Sequence, residues 1–127
     1  MANIPDELMY SEEHEWVAGD IAPGAEVAVG ITEYAAAALG DIVYVEAPEV
    51  GDDVVAGEVC GELESTKAVS EFFAPVSGVV TAVNDAVIQA PETLNTEAYG
   101  NGWIFKIKVK TPNKALLNSE QYAAITE

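Results

Sequence analysis

Lys67 is the one base among the first 105 residues, set against 20 carboxylates, in the run Glu62-Leu63-Glu64-Ser65-Thr66-Lys67-Ala68-Val69-Ser70-Glu71. A primary amine on a four-carbon stem is a target for acylation by another enzyme, provided that it is unhindered. The same placement suits an ordinary solvated lysine, and position alone does not separate the two. Glu15 stands in a short acidic run with Glu12 and Glu13. One His (His14) and one Cys (Cys60) complete the titratable inventory of interest. Together they could form a Cys–His nucleophile pair. The acids beside Cys60 would raise its thiol pKa and oppose that reactivity. With one His and one Cys, neither a zinc-protease HExxH site nor an internal disulfide can form. His14 reads as a structural or surface residue. Gly100-Asn101-Gly102 is too short to cradle a phosphate and lacks the following Lys-Ser/Thr, so it reads as a turn.

Composition narrows the field. The chain has 127 residues, 22 acids, five lysines and no arginine, for a net charge of −17. Such a molecule repels phosphate backbones and anionic lipid, which excludes nucleic acid and membrane surfaces as partners. No apolar run reaches the ~18–20 residues needed to span a bilayer. A lone cysteine fits a reducing compartment, and the first ten residues lack a basic start followed by an apolar stretch. The expected location is the cytoplasm. The acid excess also suits life at high salt, where screening suppresses self-repulsion.

Period-2 alternation dominates the elements that must hold these residues. Val27, Val29 and Ile31 share one face of a strand, and Ile42 to Val45 is an apolar run of strand length. Glu58, Cys60, Glu62 and Glu64 alternate with Val59, Gly61 and Leu63, which puts Cys60 on a polar face. Val79, Thr81 and Val83 alternate with Val80, Ala82 and Asn84. In the last strand Trp103, Phe105, Ile107 and Val109 form the core face, with Ile104, Lys106, Lys108 and Lys110 opposite. Of the adjacent Phe72 and Phe73, one should point in and one out. Gly and Pro turns punctuate these runs. The two segments flanking Lys67 would pair as a hairpin of about residues 58–74 with its tip near Ser65-Thr66-Lys67, and their similarity hints at duplication. Thr32 caps a short helix that Gly40 ends, at 32–39, and four alanines favour it. Pro91 to Asn95 reads as one helical turn, and Ser119 as the cap of a C-terminal helix. The expectation is an all-β-dominated single domain spanning 1–127, with short peripheral helices.

The segment GELESTKAVSEFFAPVSGVVTAVN resembles the lipoyl-attachment hairpin of the glycine cleavage H-protein family, with its Glu-Ser-x-Lys-Ala and Ala-Pro-x-Ser-Gly patterns. HEWV at 14–17, GITEYAAAALGDIVYVEAPEVGD at 30–52 and PETLNTEAYGNGWIFKIKV at 91–109 resemble further blocks of that family, in order. The resemblance implies a lipoyl-domain-like barrel-sandwich hybrid. It also implies covalent lipoate on Lys67, one per chain, and a carrier that is not itself an enzyme. Such a carrier takes an aminomethyl group from glycine decarboxylase (P protein) to the aminomethyltransferase (T protein). It is then reoxidised by dihydrolipoamide dehydrogenase (L protein). A lipoate ligase or lipoyl/octanoyl transferase would load it. By the same resemblance, Glu15 and Glu71 help form the pocket for the loaded arm. Glu71 replaces the usual Asp, and Glu13 stands where a small hydroxyl residue usually precedes the His.

Three further readings stay open at this point. An H-like protein could relay lipoyl or octanoyl groups to other dehydrogenase complexes. A biotinyl carrier would need the same hairpin, but typically has Met on both sides of the lysine, where this chain has Thr66 and Ala68. An unmodified β-domain with a binding role needs no modification of Lys67.

Overall fold

The computed structural model describes residues 4–113 and 115–126. Among the described residues nine strands form two sheets. The larger is built from β1 (Met9–Tyr10), β2 (Glu15–Ala18), β3 (Glu26–Ile31), β5 (Asp53–Val54), β8 (Ser77–Val83) and β9 (Phe105–Thr111), in the order β1-β2-β3-β9-β8-β5. The smaller is β4 (Ile42–Glu46), β6 (Val59–Ser65) and β7 (Val69–Phe73), in the order β4-β6-β7. Every pairing is antiparallel, and the sheets face each other without closing into a barrel. Short helices lie around them: α1 (Glu33–Leu39), α2 (Asp85–Gln89), α3 (Thr93–Thr96) and α4 (Ser119–Thr126).

The core is the meeting of the two inner faces. Val27, Val29 and Ile31 bury as expected, against Val45, Leu63, Phe72, Val80, Phe105 and Ile107. Each such side chain stabilises the fold by about 1.5–3 kcal/mol on burial. A second cluster of Leu8, Tyr10, Trp16 and Tyr122 joins the N-terminal segment to α4.

Several sequence expectations need correction. Trp103 is half-buried and lies before β9, its ring under the Lys106 ammonium at 4.9 Å, whereas Ile104 is fully buried. The alternation locks in only from Phe105, because residues 103–104 leave a 3₁₀ turn at Gly100–Gly102. Cys60 does not share the polar face. A register shift between Val59 and Gly61 turns it toward the core, where it is half-buried. The single helical turn falls at Thr93–Thr96, and α2 carried no signal. The cap of α4 is Asn118, not Ser119: its Oδ1 accepts from the Gln121 amide at 2.9 Å, and Gln121 Oε1 accepts from the Asn118 amide at 2.9 Å. That reciprocal pair is a capping box. Ser119 instead donates to Asp6 at 2.8 Å.

β6 and β7 form a hairpin. Leu63 faces Ser70 and Glu64 faces Val69, which leaves Thr66, Lys67 and Ala68 as the tip. Phe72 is buried and Phe73 half-buried, as opposite faces require.

Candidate functional site

Ser65 builds the hairpin tip. Its hydroxyl oxygen accepts the amides of Lys67 at 3.2 Å and Ala68 at 3.1 Å, while its own amide donates to the Ala68 carbonyl at 2.8 Å. The Thr66 amide donates to the Asp41 carbonyl at 3.0 Å, which moors the tip to the end of α1. Lys67 is therefore exposed on a fixed turn. Among the described residues the only ion pair is Lys110 with Asp53, so no carboxylate holds the Lys67 ammonium.

The Lys67 stem lies over Gly40, the residue that ends α1. A Cβ at Gly40 would stand 3.0 Å from Lys67 Cε, and the backbone there has φ +83°. Only glycine adopts that conformation at little cost, so one residue both stops the helix and clears a seat for the stem.

Beside this seat a cleft of about 170 Å³ opens between α1 and β7. Ala35, Ala38 and Leu39 of α1 form one wall. The other joins Leu63, Ser70, Glu71 and Phe72 of the hairpin sheet to Glu13, His14 and Glu15 beside it. The structure thus brings Glu15 and Glu71 to one cleft. Glu71 is exposed on the return strand, four residues after Lys67.

Glu15 is 2 % exposed and is not a surface acid. Its Oε1 accepts the Ser11 hydroxyl at 2.5 Å and its Oε2 accepts the Phe73 amide at 3.2 Å. Burial pushes the carboxyl up to about 7, while the Ser11 and Phe73 hydrogen bonds pull it down and the Glu13 charge adds to the rise. Ser11 is the residue that sequence reasoning missed. The hydroxyl absent at position 13 is supplied two residues earlier, because the turn from Ser11 to Glu15 closes on itself. The Ser11 amide donates to the Glu15 carbonyl at 2.9 Å, and the Glu15 amide to Ser11 Oγ at 3.0 Å.

His14 is structural, as expected. Its Nδ1 is 2.7 Å from the Tyr122 hydroxyl, and burial holds the imidazole below its ordinary pKa against the opposing pull of Glu13. Burial first, and the Glu15 charge second, push the Cys60 thiol up to about 12, which opposes thiolate chemistry at neutral pH. No group of His, Cys, Asp and Glu among the described residues is arranged to hold a metal.

The site is a lysine on a stiff hairpin tip, with no ion pair among the described residues, beside a cleft with an apolar wall and a carboxylate lining. The comparisons with known proteins show the family. The family model described as "Glycine cleavage H-protein" matches residues 8–127. The glycine cleavage system H protein of Thermobifida fusca is 53 % identical over 125 residues, covering 98 % of this chain and 97 % of the relative. That of Beutenbergia cavernae is 50 % identical over 124 residues, with 98 % and 97 % covered. The crystal structure of a glycine cleavage system H protein from Mycobacterium marinum superposes with a TM-score of 0.89 at 45 % identity, covering 95 % of this chain and 97 % of that one. The chain belongs to the glycine cleavage H-protein family. Its fold is the expected mostly-β barrel-sandwich with short peripheral helices. Its function is that of the family: a lipoate-bearing carrier of the glycine cleavage system. These relatives give no support to the relay or biotinyl readings.

Proposed function

We propose that Lys67 is the residue to which lipoate is attached, and that Glu15 and Glu71 line the pocket that receives the end of the arm. One observation carries this reading: the exposed Lys67 stem lies on Gly40, next to a cleft whose lining holds both carboxylates. The residues fit the group. The amine is open to a lipoate ligase or a lipoyl/octanoyl transferase, and Ala35, Ala38, Leu39, Leu63 and Phe72 give the cleft apolar surface on both sides.

Lipoate would supply a disulfide that opens to take up the aminomethyl group, and oxidation of the dithiol left after transfer would restore it. The protein does the rest by placement. The hairpin holds the amine at a fixed turn, so that one tethered arm serves three enzymes in succession. Those enzymes are glycine decarboxylase, the aminomethyltransferase and dihydrolipoamide dehydrogenase. The apolar side chains limit water around a cargo prone to hydrolysis. Glu71, and Glu15 once ionised, offer anionic acceptors to its ammonium. The chain itself catalyses none of these steps, works as one carrier domain over residues 1–127, and acts in the cytoplasm. No helix among the described residues is long and apolar enough to cross a membrane.

The test is intact-mass analysis after incubation with a lipoate ligase, ATP and lipoate. One lipoyl adduct is expected on the wild-type chain and none on Lys67→Ala. An adduct that survives Lys67→Ala, or a biotin-sized one on the natively expressed protein, would overturn the assignment.

A further inference from the structure

We propose that Tyr122, on the C-terminal helix, is a positioning residue for the arm cleft, because its one hydroxyl ties His14 on one wall to Thr32 at the start of the other. The proposal rests on the reading that this cleft receives the loaded arm. It concerns an element remote in sequence from the lysine and from both carboxylates.

The wall that holds Glu15 depends on His14. His14 has φ +72°, a left-handed conformation that costs a non-glycine residue strain. Such a residue persists only where its surroundings over-determine it. Here its amide donates to the Ser11 carbonyl at 3.1 Å and its carbonyl accepts the Thr32 amide at 3.0 Å. Its ring packs on Tyr34 at 4.8 Å and meets the Tyr122 hydroxyl at 2.7 Å. The left-handed turn at 14 folds the chain back immediately before Glu15. That brings the Glu15 carboxyl onto the Ser11 hydroxyl and the Phe73 amide.

The other wall depends on Thr32. Its side chain is fully buried, and its Oγ1 accepts the Ala35 amide at 3.2 Å to start α1. The Tyr122 hydroxyl lies 2.8 Å from that same Oγ1. One oxygen thus reaches both walls. Tyr122 is itself fixed: it is wholly buried, and its ring stacks on Tyr10 at 4.6 Å and 10°. A tyrosine placed only to fill the core would not need its hydroxyl at this junction.

The test compares Tyr122→Phe with Tyr10→Phe, each in the full-length chain. Tyr10→Phe also removes a buried hydroxyl, whose bond goes to the Pro5 carbonyl at 2.6 Å, away from the cleft. Amide hydrogen exchange is followed at Phe73 in the unmodified chain, with the melting temperature of each variant recorded. Tyr122→Phe should speed Phe73 exchange about five-fold, the consequence of one lost hydrogen bond. Tyr10→Phe should leave it unchanged at a comparable loss of melting temperature. In the lipoylated chains, loaded to equal mass, the cargo should be lost to water about five-fold faster from Tyr122→Phe only. Equal effects of the two variants on Phe73, or none from Tyr122→Phe, overturn the proposal. The exchange measurement needs no lipoate. A wild-type lipoylated chain that fails to protect its cargo would instead sink the cleft reading beneath it.

Discussion

The Phe73 amide donates to the Glu15 carboxylate at 3.2 Å, joining residues 58 positions apart and binding the return strand of the hairpin to the strand that carries the buried acid. The cleft exists because these two segments meet there.

Glu15 should make stability fall with pH. Burial raises its carboxyl from 4.5 to about 7, so the folded chain keeps a proton that the unfolded chain has released. The unfolded state binds fewer protons in this window, and the slope of stability against pH is therefore negative from about 4.5 to about 7, then flat above. Glu15→Gln cannot ionise. Relative to wild type it should gain up to about 3 kcal/mol across that window. Urea melts of both chains at pH 4.5, 7 and 8 give the difference directly, and a difference independent of pH would refute the assignment. Charge repulsion elsewhere is common to both chains and cancels.

Ser11 holds the carboxylate through a hydrogen bond that favours the ionised form. Ser11→Ala should push the Glu15 carboxyl above its present value of about 7 and cost about 1–3 kcal/mol of stability at pH 8, where the charge is left short of a donor. Carbon-13 titration of the Glu15 carboxyl reads the shift, and a downward shift would contradict the geometry.

Gly40→Ala should separate the two roles of that glycine. The φ of +83° makes alanine cost about 1 kcal/mol in stability. The Lys67 stem, exposed and flexible, can swing off the added methyl. Lipoylation should then proceed within about three-fold of wild type, less than the ~1 kcal/mol that one contact carries. A ten-fold or greater loss of ligase kcat/KM would mean that the seat on Gly40 is required for recognition.

The charge of −17 should act through rates. The proposed acylation of Lys67 would remove the only lysine among residues 1–105, leaving that region purely anionic. Association with basic rims on partner enzymes should slow as salt rises, because steering is screened within about 10 Å at 0.1 M. The kcat/KM of glycine decarboxylase for this carrier, measured from low to high ionic strength, checks it. An unchanged value together with a melting temperature that climbs in molar salt would favour adaptation to high salt as the reason for the acids.

Much of the frame was legible without coordinates. Alternation located Val27, Val29 and Ile31 in the core, and turn chemistry located the hairpin about Lys67. Thr32 and Gly40 bounded α1 because caps act over three or four residues. Errors fell where a local rule was overridden. The shift at Val59/Gly61 inverted Cys60, and the 3₁₀ turn delayed the last strand so that Ile104, not Trp103, entered the core.

The sequence by itself settled the strand pattern, the capped helix and the exposed amine, since alternation, capping and turn preferences are interactions among near neighbours. Only the tertiary structure decided that Glu15 is buried, that Ser11 supplies its hydroxyl and that Tyr122 reaches His14 and Thr32. Burial depends on segments remote along the chain folding over one another, and desolvation, which sets the Glu15 pKa, has no signature in any one segment.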